Sequence, residues 1–286
     1  MRFTYLEIMN DDVKCHDLIG ITVEQFVLIM VKTKPYHDII ISNKKCPGRG
    51  SAFRELGNIL LVTLMYIRNY ETMRVLSVLL DIDKTQVCRW CAVGLGLLEQ
   101  SCSVPKNLEV TSTDLGELGG CNAVAVDATE QEIERPLCSD LGQEAYYSGK
   151  QKMHTIKTEL IVNAVTDEVV TVSESVPGAM HDKKLRDESA QIADDVIVLA
   201  DSGYQGIQED CEQAIIPTKK PKGGSLTNEQ KILNKAISQA RVCVEHVIGE
   251  AKTFKVLCHR FRNFRYSYST IFGIVMYLVN LRACLS

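Results

Sequence analysis

Two short runs constrain this chain more than anything else in it. Ala123–Val126 and Val196–Ala200 are unbroken apolar stretches, and each is followed at once by an aspartate, Asp127 and Asp201. Runs of this length without alternation suit strands covered on both faces, which requires helices on either side of a sheet. His154–Ala164 alternates instead, with Ile156, Thr158, Leu160, Val162 and Ala164 on one side, and Val169–Val176 reads as a further strand. Pro177 and Gly178 turn the chain, and Asp182 is placed to cap a short helix through about Ala190. Gln213–Ile216 forms another strand, and a long helix is expected from about Thr227 to Phe254. The class is mixed α/β.

Upstream the period is helical. Residues 1–50 read as a helical lead-in, with Thr22 and Gln25 as a capping box, and Lys44–Gly50 as a Gly/Pro-containing linker. From Phe53 to about Gln100 the pattern is again helical, with Leu56, Leu60, Leu64 and Ile67 on one face. A second helix runs from about Thr72 to Leu80. Asp81, Ile82 and Asp83 make a turn, and Asp83, with Gln86 reaching back, caps a third helix through Trp90 to about Leu98. Two helices around a short turn fit a helix-turn-helix, though an ordinary helical bundle is the more common outcome of such a pattern. In the first case Lys84, Thr85, Gln86 and Arg89 are the types that meet phosphates and base edges. A Gly-rich boundary, Leu115–Gly120, separates the two periods. The expected domains are a helical region over 1–110, with its helix-turn-helix at about 53–100, and an α/β domain over 111–286.

At 286 residues, with 45% hydrophobic and 24% charged residues, the chain can bury a large core. Tyr266–Leu281 is interrupted by Ser, Thr, Gly and Asn and falls short of the roughly 20 apolar residues a membrane span needs, so it reads as a buried helix. The N-terminus lacks the pattern of a signal peptide. Eleven cysteines, an odd number, suit reduced thiols. Cys88 and Cys91 form a C-x-x-C without the second ligand pair of a zinc site. Net charge is −4, but it is unevenly spread. Residues 1–110 carry 13 basic and 12 acidic groups, 111–212 carry 7 and 21, and 213–286 carry 12 and 3. An acidic middle beside a basic tail suits a cation site next to a polyanion-binding surface, or plain solvated patches.

An ionised carboxylate at the end of an apolar strand needs compensation, from a divalent cation or from loop amides. At 100° per residue, Arg241, Glu245 and Lys252 lie within about 40° of one another on the expected long helix, some 120° from its apolar stripe of Ile237, Ala240, Val244, Val247, Ala251 and Phe254. Glu245 is thereby able to lean toward the two aspartates. A solvated Arg241–Glu245 pair is the plain alternative. Lys219, Lys220 and Lys222, with Arg260, Arg262 and Arg265, suit phosphate contact. Phe261 and Phe264, interleaved among them, suit either the core or base stacking. Glu134 is expected to face solvent.

Several stretches carry a resemblance. VDATEQEIERP (126–136), YYSGKQKMHTIKTELIVN (146–163), PGAMHDKKL (177–185), ADSGYQG (200–206), PTKKPKGGSLTNEQK (217–231) and RVCVEHVIGEAKTFKVL (241–257) resemble, in order, the catalytic domain of bacterial insertion-sequence DDE transposases related to the Harbinger elements. The resemblance covers residues 120–265 and, more loosely, the helices of 53–100. It implies a ribonuclease H-like mixed sheet flanked by helices, preceded by a small all-α helix-turn-helix domain. It also implies a catalytic, metal-binding triad of Asp127, Asp201 and Glu245, with Arg241 and Lys252 completing an Arg-x3-Glu-x6-Lys pattern. Two departures stand out. Ser238 replaces a tyrosine three residues before Arg241, and LCSDLGQEA (137–145) replaces a basic segment.

The implied chemistry is cleavage and joining of DNA strands by two Mg²⁺ (or Mn²⁺) ions about 4 Å apart, through in-line displacement without a covalent protein intermediate. The DNA contacts would come from Lys84, Thr85, Arg89, Lys219, Lys220, Arg241 and Lys252. The implied partners are double-stranded DNA, both element ends and target, and further copies of the chain, in a homodimer or higher assembly without a membrane. The location is cytoplasmic or nucleoid-associated in a bacterium, nuclear in a eukaryotic relative. The alternatives are a domesticated, non-cleaving DNA-binding protein and a metal nuclease without strand transfer. In the adjacent pair His181 and Asp182, Asp182 is read as a helix cap, with a supporting role near the metals left open.

Overall fold

The computed structural model describes residues 4–43, 56–116, 122–137 and 142–284. The expected linker at 44–50, the helical start at Phe53, most of the Gly-rich boundary and residues 138–141 of the departing segment lie outside them. The chain divides into two compact units, Met1–Ser103 with Ala251–His259 and Thr270–Ser286, and Val104–Glu250 with Arg260–Ser269.

The first unit is helical. It contains α1 (Tyr5–Ile8), α2 (Asp12–Ile19), α3 (Val23–Ser42), α4 (Leu56–Asn69), α5 (Met73–Leu80) and α6 (Lys84–Ser101). The expected box at the start of α3 forms, with the Gln25 N–H donating to Thr22 Oγ1 at 3.2 Å and the Thr22 N–H to Gln25 Oε1 at 2.9 Å. Thr72 caps α5 and Asp83 caps α6; the Asp83 carboxylate accepts the Thr85 N–H at 2.8 Å in place of the expected exchange with Gln86. The turn between them hinges on Asp81, whose φ of +52° is one that aspartate tolerates better than most residues. Every residue of α4 from Gly57 to Ile67 is buried, as befits a helix apolar on all sides.

Where α6 crosses α4, Gly94 leaves room for nothing else. A Cβ there would lie 2.0 Å from the Oγ1 of buried Thr63, which is held by the Ile59 carbonyl at 2.8 Å.

The second unit contains α7 (Ser112–Leu115), β1 (Ala123–Glu132), β2 (Tyr147–Ser148), β3 (Met153–Asn163), β4 (Val169–Val172), β5 (Val176–Pro177), α8 (Asp182–Asp187), β6 (Ile197–Leu199), β7 (Ala214–Ile215), α9 (Asn228–Ala240) and α10 (Val242–Ala251). Among the described residues the sheet runs β2-β3-β1-β6-β7, with β4 and β5 also paired to β3. β1 is antiparallel to β3 and parallel to β6. This is the mixed, helix-flanked sheet of the ribonuclease H-like class. Val124, Val126, Ile161, Val198, Ala200, Tyr204 and Ile207 meet in a core on one of its faces.

Four details correct the sequence reading. β1 does not stop before Asp127 but continues to Glu132, because β3 keeps pairing with it after β6 has left. The strand expected over 169–176 is split, since the register slips between Ile161 and Val162 and Ser173 turns inward, its hydroxyl accepting the Glu159 N–H at 2.9 Å. The short helix ends at Asp187 and is capped by His181, not Asp182. The long helix is two helices, broken at Arg241 and finished at Ala251. Beyond Ala251, Arg68 takes the Thr253 carbonyl at 2.9 Å, and Phe254 is buried under the guanidinium groups of Arg68 and Arg282. These contacts draw the backbone out of the helix.

The last helix, α11 (Tyr268–Cys284), is buried as its sequence requires, with Ile271, Phe272, Ile274, Val275 and Leu278 fully enclosed. No helix among the described residues is long and apolar enough to cross a membrane. Gly94→Ala is expected to destabilise the first unit by about 1–3 kcal/mol through overpacking. Emission from Trp90, the one tryptophan and fully buried in α6, reads this as a lower urea midpoint.

Candidate active site

Parallel pairing of β1 with β6 ends at Ala125 and Leu199. Asp127 and Asp201 both stand two residues beyond that last pair. Past it, β1 runs on paired with β3, while the chain after β6 curls into a 3-10 turn at Ser202–Tyr204. Asp201 starts that turn, its Oδ1 accepting the Gly203 N–H at 2.6 Å. Asp127 accepts the Ala128 N–H at 2.8 Å on one oxygen and faces Arg241 Nη2 at 3.4 Å from the other. Its carboxyl is pushed above the usual aspartate range, first by burial, with Asp201 and Asp182 adding to the rise; Arg241 and the Ala128 amide pull the other way.

Asp182 does not cap α8 as expected. It is the first residue of α8, and its carboxylate belongs to the site. A Cβ built on Gly203 would lie 2.8 Å from both Asp182 Oδ2 and Asp201 Oδ1, so the two carboxylates flank that glycine. Lys157 of β3, almost completely buried, donates to Asp182 Oδ1 at 2.8 Å and to the Met180 carbonyl at 2.7 Å, and lies 3.6 Å from Glu130. Glu130 in turn accepts the Thr155 hydroxyl at 2.8 Å. The register supplied a signal for this group: Glu130 and Lys157 are directly paired across β1 and β3 and share a face. Behind it, buried Glu159 pairs with Arg186 at 2.6 Å. Burial raises the Glu159 carboxyl to about 7 against the opposing pull of Arg186, Ser189 and Tyr204.

Arg241 caps the end of α9 and is buried, its Nε without a hydrogen bond. Glu245, four residues on in α10, is exposed, as are Lys252 and Ser238. As arranged, no three Asp, Glu, His or Cys side chains among the described residues are close enough together to hold a metal ion. The donor chemistry of Asp127 and Asp201 nevertheless fits a divalent cation. Asp127 is a partly buried carboxylate with acidic neighbours, a deficit that added positive charge relieves.

In the first unit, Lys84, Thr85 and Arg89 are exposed along one side of α6, while Val87 and Trp90 are buried on the other. Lys84 occupies the first helical position, where the backbone already favours an anion. Lys219, Lys220 and Lys222 are exposed on the segment before α9. Cys91 is buried and Cys88 exposed. Glu134 faces solvent. Phe261 is in the core and Phe264 is exposed.

Residues 126–280 match a family model described as DDE superfamily endonuclease, and residues 55–102 one described as helix-turn-helix of DDE superfamily endonuclease. The second match identifies α5 and α6 as a helix-turn-helix in place of a plain bundle. The probable transposase for insertion sequence element IS702 of Microchaete diplosiphon is 32% identical over 247 residues, which cover 84% of this chain and 86% of that protein. No solved structure matches the chain.

Glu159 gives the second unit a pH signature. Its folded value of about 7 lies above the ordinary 4.5, so between those values the folded state binds more protons than the unfolded, and stability falls as pH rises. Glu159→Gln is expected to flatten this slope without abolishing it, since Asp127 acts in the same sense. Urea midpoints by circular dichroism across the window measure it; an unchanged slope assigns the effect elsewhere.

Proposed function

The chain belongs to the DDE superfamily of endonucleases, and on that premise we propose that it is a transposase, cleaving DNA at the ends of a mobile element and joining those ends to a target. The observation that carries the reading is the partly buried Asp127, level with Asp201 where two strands part and countered by a single arginine. Asp127, Asp201 and Glu245 are the proposed catalytic carboxylates and would hold two Mg²⁺ or Mn²⁺ ions. When bound, such cations supply Lewis-acid activation of the phosphate and of the attacking water or 3′-hydroxyl.

The chain's own residues do the rest. Arg241 neutralises Asp127 and fixes the start of α10, one turn before Glu245. Lys157 holds Asp182 beside Asp201 and so limits where the Asp201 turn sits. Lys84, Thr85 and Arg89 engage the element end through the helix-turn-helix, while Lys219, Lys220 and Lys252 engage phosphates. Displacement at one phosphodiester to make another is nearly balanced in energy, so no nucleotide hydrolysis is required. Joining two ends calls for at least two copies of the chain on DNA.

The test is Mg²⁺-dependent cleavage of duplex DNA bearing the element's terminal repeats. Asp127→Asn, Asp201→Asn and Glu245→Gln are each expected to lose roughly a thousandfold or more in rate, the equivalent of about 4 kcal/mol of barrier. Activity surviving in Asp127→Asn would sink the assignment. Loss in Asp182→Asn with survival in Glu245→Gln would move the third ligand to α8. Duplex binding without cleavage by the unaltered chain would favour the non-cleaving alternative. Separately, Arg89→Ala is expected to weaken duplex binding and reduce the slope of log affinity against log salt by about 1, as loss of one phosphate contact does.

A further inference from the structure

One surface of the second unit has an arrangement that the carboxylate chemistry does not use. Phe264 and Tyr266 are 74% and 82% exposed, and their rings are stacked on each other with centroids 5.5 Å apart and planes 10° from parallel. Large aromatic side chains contribute most when buried, so two together in solvent call for a partner. The segment that presents them is fixed at both ends. Phe261 and Tyr268, both buried, meet edge to face at 4.9 Å. Between them the 3-10 turn Arg265–Ser267 is closed by the Ser267 N–H and hydroxyl, which donate to the Phe264 carbonyl at 2.9 and 2.7 Å. Arg265 lies over the Tyr146 ring at 4.6 Å and braces the turn from behind. The rings are therefore held out by a preorganised frame.

The charge around them selects the partner. Within Arg260–Ser269 there is no acidic residue, while Arg260, Arg262 and Arg265 are basic. Arg260, Arg262 and Arg265 alternate with the aromatic rings, Arg260 also pairing with Glu132 at 3.1 Å. Aromatic faces set among arginines are what unpaired nucleotides bind, because every base has a face to stack and every linkage a negative charge. The frame is also tied to the active strand. The Phe261 N–H donates to the Glu132 carbonyl at 2.8 Å, and Phe261 bridges Ile133. Glu132 is five residues along β1 from Asp127, about 17 Å at about 3.3 Å per residue. That is roughly five base steps of duplex DNA at 3.4 Å each.

We propose that Phe264 and Tyr266 form a stacking platform for an unpaired base of the DNA strand a few nucleotides from the phosphate being cut. The proposal rests on the transposase reading for the identity of that strand. It adds that the end is locally opened on this surface.

The test measures binding of the full chain, with chelator present, to a short thymidine oligonucleotide carrying one 2-aminopurine, and to a duplex of the same length. The unaltered chain is expected to bind the single strand and quench the 2-aminopurine. The exposed double variant Phe264→Ala/Tyr266→Ala is expected to weaken single-strand binding about tenfold or more, within the range of alanine substitution at stacking residues, and to leave duplex binding as it was. Phe264→Tyr and Tyr266→Phe keep a ring and are expected to keep both quenching and affinity. Undiminished quenching in the double variant overturns the proposal, as does an equal loss for single strand and duplex. Loss of self-association in sedimentation, with single-strand binding intact, reassigns the rings to a contact between copies. Because no metal is present, a chain that stacks bases but does not cut fails the transposase reading alone. One that cuts but does not stack fails this inference alone.

Discussion

The parting of β1 and β6 after Ala125 and Leu199 is the constraint on which the second unit's chemistry depends. Up to that pair, both strands are enclosed and apolar, and the ladder satisfies their backbones. Beyond it, β3 continues to hold β1 straight, while the chain after β6 must find hydrogen bonds elsewhere and takes them from Asp201. The aspartate is thus both the cap of a turn and one wall of a gap. Asp127, on the opposite wall, stays in regular strand geometry and cannot swing away from the burial that disfavours its charge.

Positive charge reaches this group of acids from two directions. Arg241 arrives from the junction of α9 and α10, and the break in the helix there is the backbone's adjustment to a side chain turned inward. Lys157 arrives from β3 and neutralises the next carboxylates along, Asp182 and Glu130. Salt bridges with so little exposure are costly to break, because removing one partner strands the other without solvent. The carboxylates here therefore draw on few cations: Asp127 faces Arg241, while Asp182 and Glu130 share Lys157.

Much of this was legible before any coordinates. The apolar runs gave the buried strands and the two aspartates, and Thr22, Thr72 and Asp83 each stand where a helix begins, because capping is a local matter of one side chain and nearby amides. The extent of β1 was not legible, since the partner that prolongs it lies thirty residues away in sequence. The break at Arg241 was missed for a related reason. A helical wheel assumes one unbroken axis, and neither the inward turn of Arg241 nor the capture of Phe254 between Arg68 and Arg282 leaves a mark in periodicity. Glu245 and Lys252 consequently share a line on paper and not a helix in space. Lys157 and Asp182 were hidden because an isolated lysine on a strand and an acid at a helix start each have an ordinary explanation.

Gly203 looks like a minor feature of the 3-10 turn, yet its effect is that of a wedge withheld. Its α-carbon lies between Asp182 and Asp201, and a methyl group attached there would touch an oxygen of each. What lets two like-charged acids stand so near one another is the small bulk between them, here a hydrogen atom. Any larger substituent would press on both acids from within.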